Sequence, residues 1–412
     1  MSKIKNIEAR EILDSRGNPT IEVELETENG FFIDSVPSGA STGEGEAIEL
    51  RDNDEDRYLG KGVLNAISNI KFISEELEGH SIHQKEVDDA MISLDGTENK
   101  RKLGANAIMA VSLAVARAGA KAEKKELFEY IASISNNEIK LPSPCFNVIN
   151  GGKHAGNNLA FQEFMINFEG NKLKDQIKMA SEFYHTLKDF ISLKYGKEGI
   201  NVGDEGGFAP ALSDPKEALD LIVKTAKKLN YLGDIKIFLD IAASEFYDKK
   251  ENKYNLSKGV SFEREELVKY YKELCDTYPI KSVEDPFEQN DFEGFRMLNQ
   301  QMLGNLLIIG DDLTVTNTKF IEKAYEKNAI NGLLVKINQI GTVSEAIEAV
   351  NLAKSYNYKI MISHRSGETN DDFITDFAVG LGAEYIKSGA PARGERIAKY
   401  NRLLKIENIL GL

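Results

Sequence analysis

Between Asp240 and Lys387 one arrangement recurs: a short apolar run of strand length ends in charged residues, and a stretch with helical periodicity follows. The runs are KIFLD ending at Asp240, KSVED reaching Glu284 and Asp285, LLIIGDD reaching Asp311 and Asp312, GLLVK ending at Lys336, KIMISHRS carrying His364, Arg365 and Ser366, and EYIK ending at Lys387. Apolar runs alternating with helices predict parallel strands buried on both faces, and in a (β/α)8 barrel the C-terminal strand ends open onto one mouth. An open doubly wound sheet also places ligands at strand C-termini. It would carry a Gly-x-Gly-x-x-Gly turn after its first strand, and no such turn occurs here. A barrel also accounts for polar chemistry at so many successive strand ends. Three acids followed by two lysines would converge on its mouth, the layout of a metal site facing a proton-transfer base.

The chain ahead of the barrel reads differently. Ile4 to Ile12, Thr20 to Glu28 and Phe31 to Val36 alternate or cluster apolar residues between the turn signals RGNP and ENG, as in an antiparallel meander. Leu64 to Leu77, Gln84 to Leu94 and Ala105 to Glu123 then show apolar spacings of three and four. The prolines of LPSPCFNVINGG mark a boundary, which gives an N-terminal α+β domain over residues 1–140 and an α/β barrel over 141–412. The second span suits a single barrel, which takes about 250 residues.

Composition excludes several classes. A hydrophobic share of 42% with 28% charged residues is that of a folded globular protein, and no window is low in complexity. A formal net charge of -15 argues against general polyanion binding, since nucleic-acid affinity rests on lysine and arginine neutralising phosphates. The start, MSKIKNIEAREI, has no apolar core of the signal-peptide kind, so a cytoplasmic location is expected. Leu103 to Ala118 is too short and small-residued to span a bilayer and reads as a packed core helix. Cys145 and Cys275, far apart, give neither a disulfide framework nor a zinc motif.

Asp240, Glu284 and Asp311 offer three carboxylates from successive strand ends, a hard-oxygen set suited to Mg²⁺ or Mn²⁺. Any one of them could simply cap the next helix; three in sequence point to a metal, with Asp312 the ambiguity beside Asp311. Lys336 would stand at the mouth, where burial and positive neighbours lower a lysine pKa towards that of a usable base. The plain alternative is a structural ion pair, weakened by a second strand-end lysine, Lys387. In GDEGGF the glycines permit a tight loop that aims Glu205 into the site. PSGASTGEGEA with Ser41 and NGGKHAGNN with His154 could close over a ligand, although such loops are often mere connections. Arg365 with Ser366 combines a guanidinium fork with a hydroxyl, a grip on phosphate or carboxylate. Neither His154 nor His364 has a serine or cysteine nucleophile motif beside it, which disfavours acyl transfer.

Read together, DSRGNPT from Asp14, PSGASTG from Pro37, SLDGTEN from Ser93, KLGANA from Lys102, HAGNNLAFQEFM from His154, NVGDEGGFAP from Asn201, VEDPF from Val283, GDDLTVTN from Gly310, KINQIGT from Lys336, SHRSGET from Ser363 and KSGAPARGERIAKYN from Lys387 resemble the enolases. The likeness spans almost the whole chain in order. It implies interconversion of 2-phospho-D-glycerate and phosphoenolpyruvate, on a small N-terminal domain joined to a modified barrel in which an early strand runs antiparallel. Under it Lys336 removes the C2 proton, and Glu205 acts as general acid on the C3 hydroxyl with Glu163 assisting. A first Mg²⁺ sits on Asp240, Glu284 and Asp311, and a second arrives with substrate on Ser41 and the phosphate. Arg365 and Ser366 hold phosphate, Lys387 the carboxylate, while His154, Gln162, Glu163 and His364 complete the pocket. A lysine or histidine base with one or two Mg²⁺ ions is the established pattern of that superfamily. The resemblance also implies a homodimer or a larger assembly such as an octamer, a small phosphorylated carboxylate as partner, and neither nucleic acid nor membrane. The ending NILGL lacks the terminal lysine associated with plasminogen binding in some members.

Two other readings use the same residues. A related barrel could abstract a proton beside the carboxylate of an unphosphorylated acid, although GDEGG, SHRSGET and the Ser41 loop supply a phosphate grip that such an enzyme does not need. A non-catalytic structural or surface-binding use of the fold would predict binding without turnover.

Overall fold

The computed structural model describes residues 2–40 and 43–412. Its N-terminal part opens with β1 (Ile4–Leu13), β2 (Pro19–Thr27) and β3 (Gly30–Ser35), an antiparallel meander in the order β1-β2-β3. At the first turn Asp14 Oδ1 accepts the amides of Arg16 (2.8 Å) and Asn18 (2.9 Å), which is why the chain reverses there. Along β2 the alternation buries Ile21, Val23 and Leu25 on one face. Each such side chain contributes about 1.5–3 kcal/mol of transfer free energy.

Four helices follow: α1 (Leu64–Leu77), α2 (Gln84–Asp95), α3 (Ala105–Ala122) and α4 (Leu127–Ser135). In α3 all but Arg117 and the last two residues are buried, so the alanine-rich segment is a core helix packed on β2 and β3. Its small side chains let both strands approach the helix closely. No helix among the described residues is long and apolar enough to cross a membrane.

The second part is a closed eight-stranded barrel. In chain order its elements are β4 (Ser143–Asn150), β5 (Glu163–Asn167), α5 (Leu173–Tyr195), α6 (Pro215–Leu229) and β6 (Lys236–Asp240). A small antiparallel sheet of β7 (Tyr247–Asp248), β8 (Lys253–Ser257) and β9 (Val260–Phe262) then intervenes, unannounced by any pattern singled out above. The rest alternates: α7 (Arg264–Thr277), β10 (Ile280–Glu284), α8 (Phe292–Met302), β11 (Leu307–Gly310), α9 (Thr318–Glu326), β12 (Gly332–Val335), α10 (Ile337–Ile340), α11 (Val343–Ser355), β13 (Lys359–Ser363), α12 (Phe373–Gly380), β14 (Tyr385–Lys387) and α13 (Gly394–Leu410).

Seven barrel strands run one way and β5 runs the other, pairing antiparallel with both β4 and β6. The barrel closes where β14 pairs with β4, Tyr385 opposite Ser143. Cys145, Met165, Phe238, Leu307, Ile309, Leu334, Met361 and Tyr385 fill its interior as a separate apolar cluster, so it is a packed core and not a pore. Above that plug lies the mouth where the strand-end charges meet.

The two parts are joined at that mouth. Ser38 and Gly367 form an antiparallel bridge, Ser38 N donating to Gly367 O (2.7 Å) and Gly367 N to Ser38 O (2.9 Å). Arg16 reaches from the β1–β2 turn to Ser366 Oγ (3.2 Å) and to the carbonyls of Ser38 and Gly39 (both 3.2 Å). Further along the interface, Ser112 Oγ and Asp88 Oδ2 accept the first amides of α11, from Val343 (2.9 Å) and Ser344 (3.0 Å). These amides have no partner within their own helix, so the N-terminal domain supplies the cap.

Candidate active site

Asp240 and Glu284 occupy the last positions of β6 and β10, opposite one another in parallel register. Glu163 joins them by a different route. Because β5 is reversed, its first residue reaches the mouth, where it pairs with Asp240 on one side and Asn150 on the other. Lys387, at the end of β14, threads its buried ammonium among the three: Nζ lies 2.8 Å from both oxygens of Glu284, 3.2 Å from Glu163 and 3.3 Å from Asp240. Burial opposes the charge on Lys387, but the surrounding carboxylates hold its pKa well above the usual range. Glu163 and Glu284 are pushed up by burial and by their like-charged neighbours.

Asp311 is held apart from that group. Its Oδ2 takes Lys336 Nζ at 2.5 Å and its Oδ1 takes Gln339 Nε2 at 2.8 Å. Asp285, in a left-handed conformation (φ 42°), accepts the amides of Asp311 (2.9 Å) and Asp312 (2.7 Å) and so fixes the loop after β11. Burial and Asp311 push the Asp312 carboxyl up to about 7. Among the described residues two sets of possible ligand atoms lie within 4.8 Å of one another, His154–Glu163–Glu205 and Asp285–Asp311–Asp312. Asp240, Glu284 and Asp311 are not such a set, since two ammonium groups divide them. Each of these three acids contacts a buried ammonium group, and all the ligand atoms they offer are carboxylate oxygens. That chemistry fits a hard divalent cation.

Lys336 departs from expectation in one respect. Burial lowers its pKa as the sequence suggested, and Arg365 and Lys387 act the same way, yet the pull of Asp311 prevails and the ammonium is held above its ordinary range. The contact with Asp311 was not visible in the spacing.

Glu205 stands on the loop from Asn201 to Pro210. A Cβ on Gly203 would lie 2.3 Å from His154 O, so only glycine lets the two loops touch. Asn147 Nδ2 donates to Glu205 Oε2 (3.0 Å), and His154 Nδ1 and His364 Nε2 lie 3.3 and 3.4 Å from Oε1. Both of those imidazole nitrogens, and Glu163 Oε2, are buried without a hydrogen-bond partner among the described residues. Burial works against the Glu205 charge, but the two imidazoles and Arg396 outweigh it and hold the carboxyl well below the usual range. His364 goes the other way: burial and Arg396 bring it down to about 4, leaving a neutral ring.

Arg365 forks onto Glu46, Nη1 to Oε2 at 3.1 Å and Nη2 to Oε1 at 3.3 Å, so a buried N-terminal carboxylate holds the expected phosphate grip. Gln162 Nε2 donates to Asp240 Oδ2 (3.2 Å). Thus His154, Gln162, Glu163, Glu205, Asp240, Lys336, His364, Arg365, Ser366 and Lys387 all line one cleft of about 20 Å³, with Glu284 and Asp311 in direct contact with its lysines. Ser41 lies outside the described residues. A far larger groove, about 1020 Å³, lies between the N-terminal domain and α11, but it lacks such a convergence of buried charge. Gln339, Glu46 and Arg396 were missed from sequence, since each acts through partners distant along the chain and no local spacing marks them; Asp285 was read as a strand-end charge, without its hold on the Asp311 and Asp312 amides.

Known proteins agree along the entire length. The family description "Enolase, C-terminal TIM barrel domain" matches residues 138–412, and "Enolase, N-terminal domain" matches residues 4–131. A protein named "Enolase" from Mastigamoeba balamuthi is 52% identical over 424 residues, covering 100% of this chain and 97% of its own. One of the same name from Methanococcus aeolicus is 53% identical over 411 residues, covering 99% and 96% respectively. "Enolase B" from Dictyostelium discoideum is 52% identical over 420 residues, covering 99% and 95%.

Proposed function

Since the chain belongs to the enolase family, we propose that it interconverts 2-phospho-D-glycerate with phosphoenolpyruvate and water, a glycolytic and gluconeogenic lyase reaction. The observation that carries the reading is one cleft lined both by a strand-end lysine, Lys336, and by the Glu163–Glu205 pair. Elimination needs a base for the C2 proton and an acid for the C3 hydroxyl, acting separately.

Lys336 takes the C2 proton as a neutral amine, which requires the hold of Asp311 on its ammonium to relax. Magnesium held by Asp240, Glu284 and Asp311, with a second ion on Ser41 and the substrate phosphate, would supply positive charge against the substrate carboxylate and the developing enediolate. Lys387 adds its own charge to the same carboxylate. As the C2 electron pair forms the double bond, the hydroxyl leaves C3 with a proton from the glutamate pair and departs as water. Glu205 is the acid expected to face that hydroxyl. Burial and the Glu205 charge raise the pKa of Glu163. Arg365 and Ser366 grip the phosphate, and His154, Gln162 and His364 donate to substrate oxygens. A 20 Å³ cleft holds about one water, so it must widen to admit substrate.

General acid and base groups give about 10²- to 10⁴-fold each, which leaves much of the acceleration to electrostatic preorganisation. The direct test is ultraviolet absorbance of enol product on adding 2-phospho-D-glycerate, after chelation and again with excess magnesium. Product only with magnesium is expected; none from folded, magnesium-loaded protein would refute the assignment. Isotope exchange then separates the roles. Lys336→Ala should abolish exchange of the C2 proton, whereas Glu205→Gln should keep exchange and lose elimination; unchanged exchange in Lys336→Ala would reverse them. With this reading go a cytoplasmic location, a division at residues 140/141 and an assembly of at least two copies.

A further inference from the structure

Arg396, in the first turn of α13, is the largest fully buried side chain of the described residues, and the reaction scheme above does not use it. Its guanidinium spends its donors on two catalytic loops at once. Nη1 contacts His364 Nδ1 at 2.6 Å and donates to Arg365 O at 2.7 Å, while Nη2 donates to Ser366 O at 2.7 Å and to Asp204 O at 3.0 Å. Its Nε lies 3.3 Å from Glu395. A Cβ on Gly389 would come within 2.9 Å of Arg396 Cδ, so the glycine leaves room for this side chain.

A guanidinium has no acceptor and does not lose its proton. At 2.6 Å, therefore, His364 Nδ1 must be the acceptor, and the neutral ring carries its hydrogen on Nε2. That is the nitrogen facing Glu205 and buried without another partner. We propose that Arg396 is a positioning residue that fixes His364 as the Nε2–H tautomer and ties the Glu205 loop to the Arg365–Ser366 loop. His364 thereby presents one fixed donor to the reaction centre, and the acid and the phosphate grip keep their mutual geometry before substrate arrives. The catalytic consequence rests on the lyase reading above, whereas the tautomer does not.

The test is long-range proton–nitrogen correlation on ¹⁵N-histidine-labelled full-length protein, with His364→Gln identifying the signal. Wild-type His364 should show a protonated Nε2 and a bare Nδ1 from pH 6 to 8. Arg396→Met should move hydrogen onto Nδ1 and lower kcat about 10²-fold with a smaller change in KM, the usual scale for reacting groups misplaced by about 1 Å. Arg396→Lys, which can also only donate, should keep the tautomer. A protonated Nδ1 in the wild type overturns the proposal without any variant having to fold. So does a folded Arg396→Met with unchanged tautomer and kcat. If wild-type protein fails to turn over 2-phospho-D-glycerate but keeps the Nε2–H ring, the lyase reading falls and the role of Arg396 in setting the tautomer stands.

Discussion

Replacing Lys387 by methionine leaves the stem of the side chain and deletes one charge, the one shared by Glu163, Asp240 and Glu284 at 2.8–3.3 Å. Removing one partner from a buried ion pair typically costs about 3–5 kcal/mol, because the other is left uncompensated. With three carboxylates around the deleted ammonium, the upper part of that range is expected. The cost should depend on pH. Glu163 and Glu284 already have folded pKa values above 4.5, from burial and from repulsion by Glu205 and Asp240 respectively, and losing the ammonium raises them further. An acid whose pKa is raised by folding contributes stability at low pH and loses it as pH rises through the folded value. The deficit of Lys387→Met should therefore be smaller at pH 5 than at pH 8. A divalent cation should offset it, since a ligand that binds only the folded state contributes about 2.7 kcal/mol at a hundred times its dissociation constant. Urea unfolding at the two pH values, with chelator and with excess magnesium, measures each term. A loss equal at both pH values and indifferent to magnesium would mean that Lys387 acts through packing, and the charge argument would fail.

His364 is held neutral at about 4 against an ordinary 6.5, a difference worth about 3 kcal/mol, so stability should fall as pH drops from 6.5 towards 4. His364→Gln should flatten that part of the pH–stability curve, and an unchanged slope would assign the acid sensitivity elsewhere. Gly367→Ala would put a Cβ 2.3 Å from Asp14 Oδ2 and 2.6 Å from Arg16 Nη2, prising the β1–β2 turn from the Arg365–Ser366 loop. An overpacking cost of about 1–3 kcal/mol is expected, with KM for the phosphorylated substrate rising more than kcat falls. Steady-state kinetics and urea melts check both, and a KM equal to that of the wild type would uncouple the turn from the phosphate grip.

The sequence carried the barrel because its strands are buried on both faces and so read as unbroken apolar runs. Where a strand runs with its neighbours, the rule that its last residue reaches the mouth holds, and Asp240, Glu284 and Lys387 sit there. Glu163 breaks that rule. It is the first residue of its strand, and nothing within EFMIN tells a reversed strand from a parallel one; the direction is set by register with β4 and β6, and only the family resemblance brought Glu163 into the site. Asp311 shows the other limit. Its place after β11 was legible, but its partner was not, because whether Lys336 or Lys387 reaches it depends on side-chain paths across the mouth. Arg396 is less visible still: in GERIAKYNR it is one basic residue among several, and the partners of its Nη atoms lie 30 or more residues away.

The β14–β4 seam has a consequence for the chain as it is made. Residues 143–150 leave the ribosome more than two hundred residues before their closing partner at 385–387. Until then β4 and β13 present unpaired edges, which are open to wrong pairings. The same last stretch delivers Lys387 and, on α13, Arg396, so barrel closure and completion of the site occur together. A nascent chain that stops short of residue 385 lacks the seam, the ammonium between the acids and the guanidinium that ties the loops.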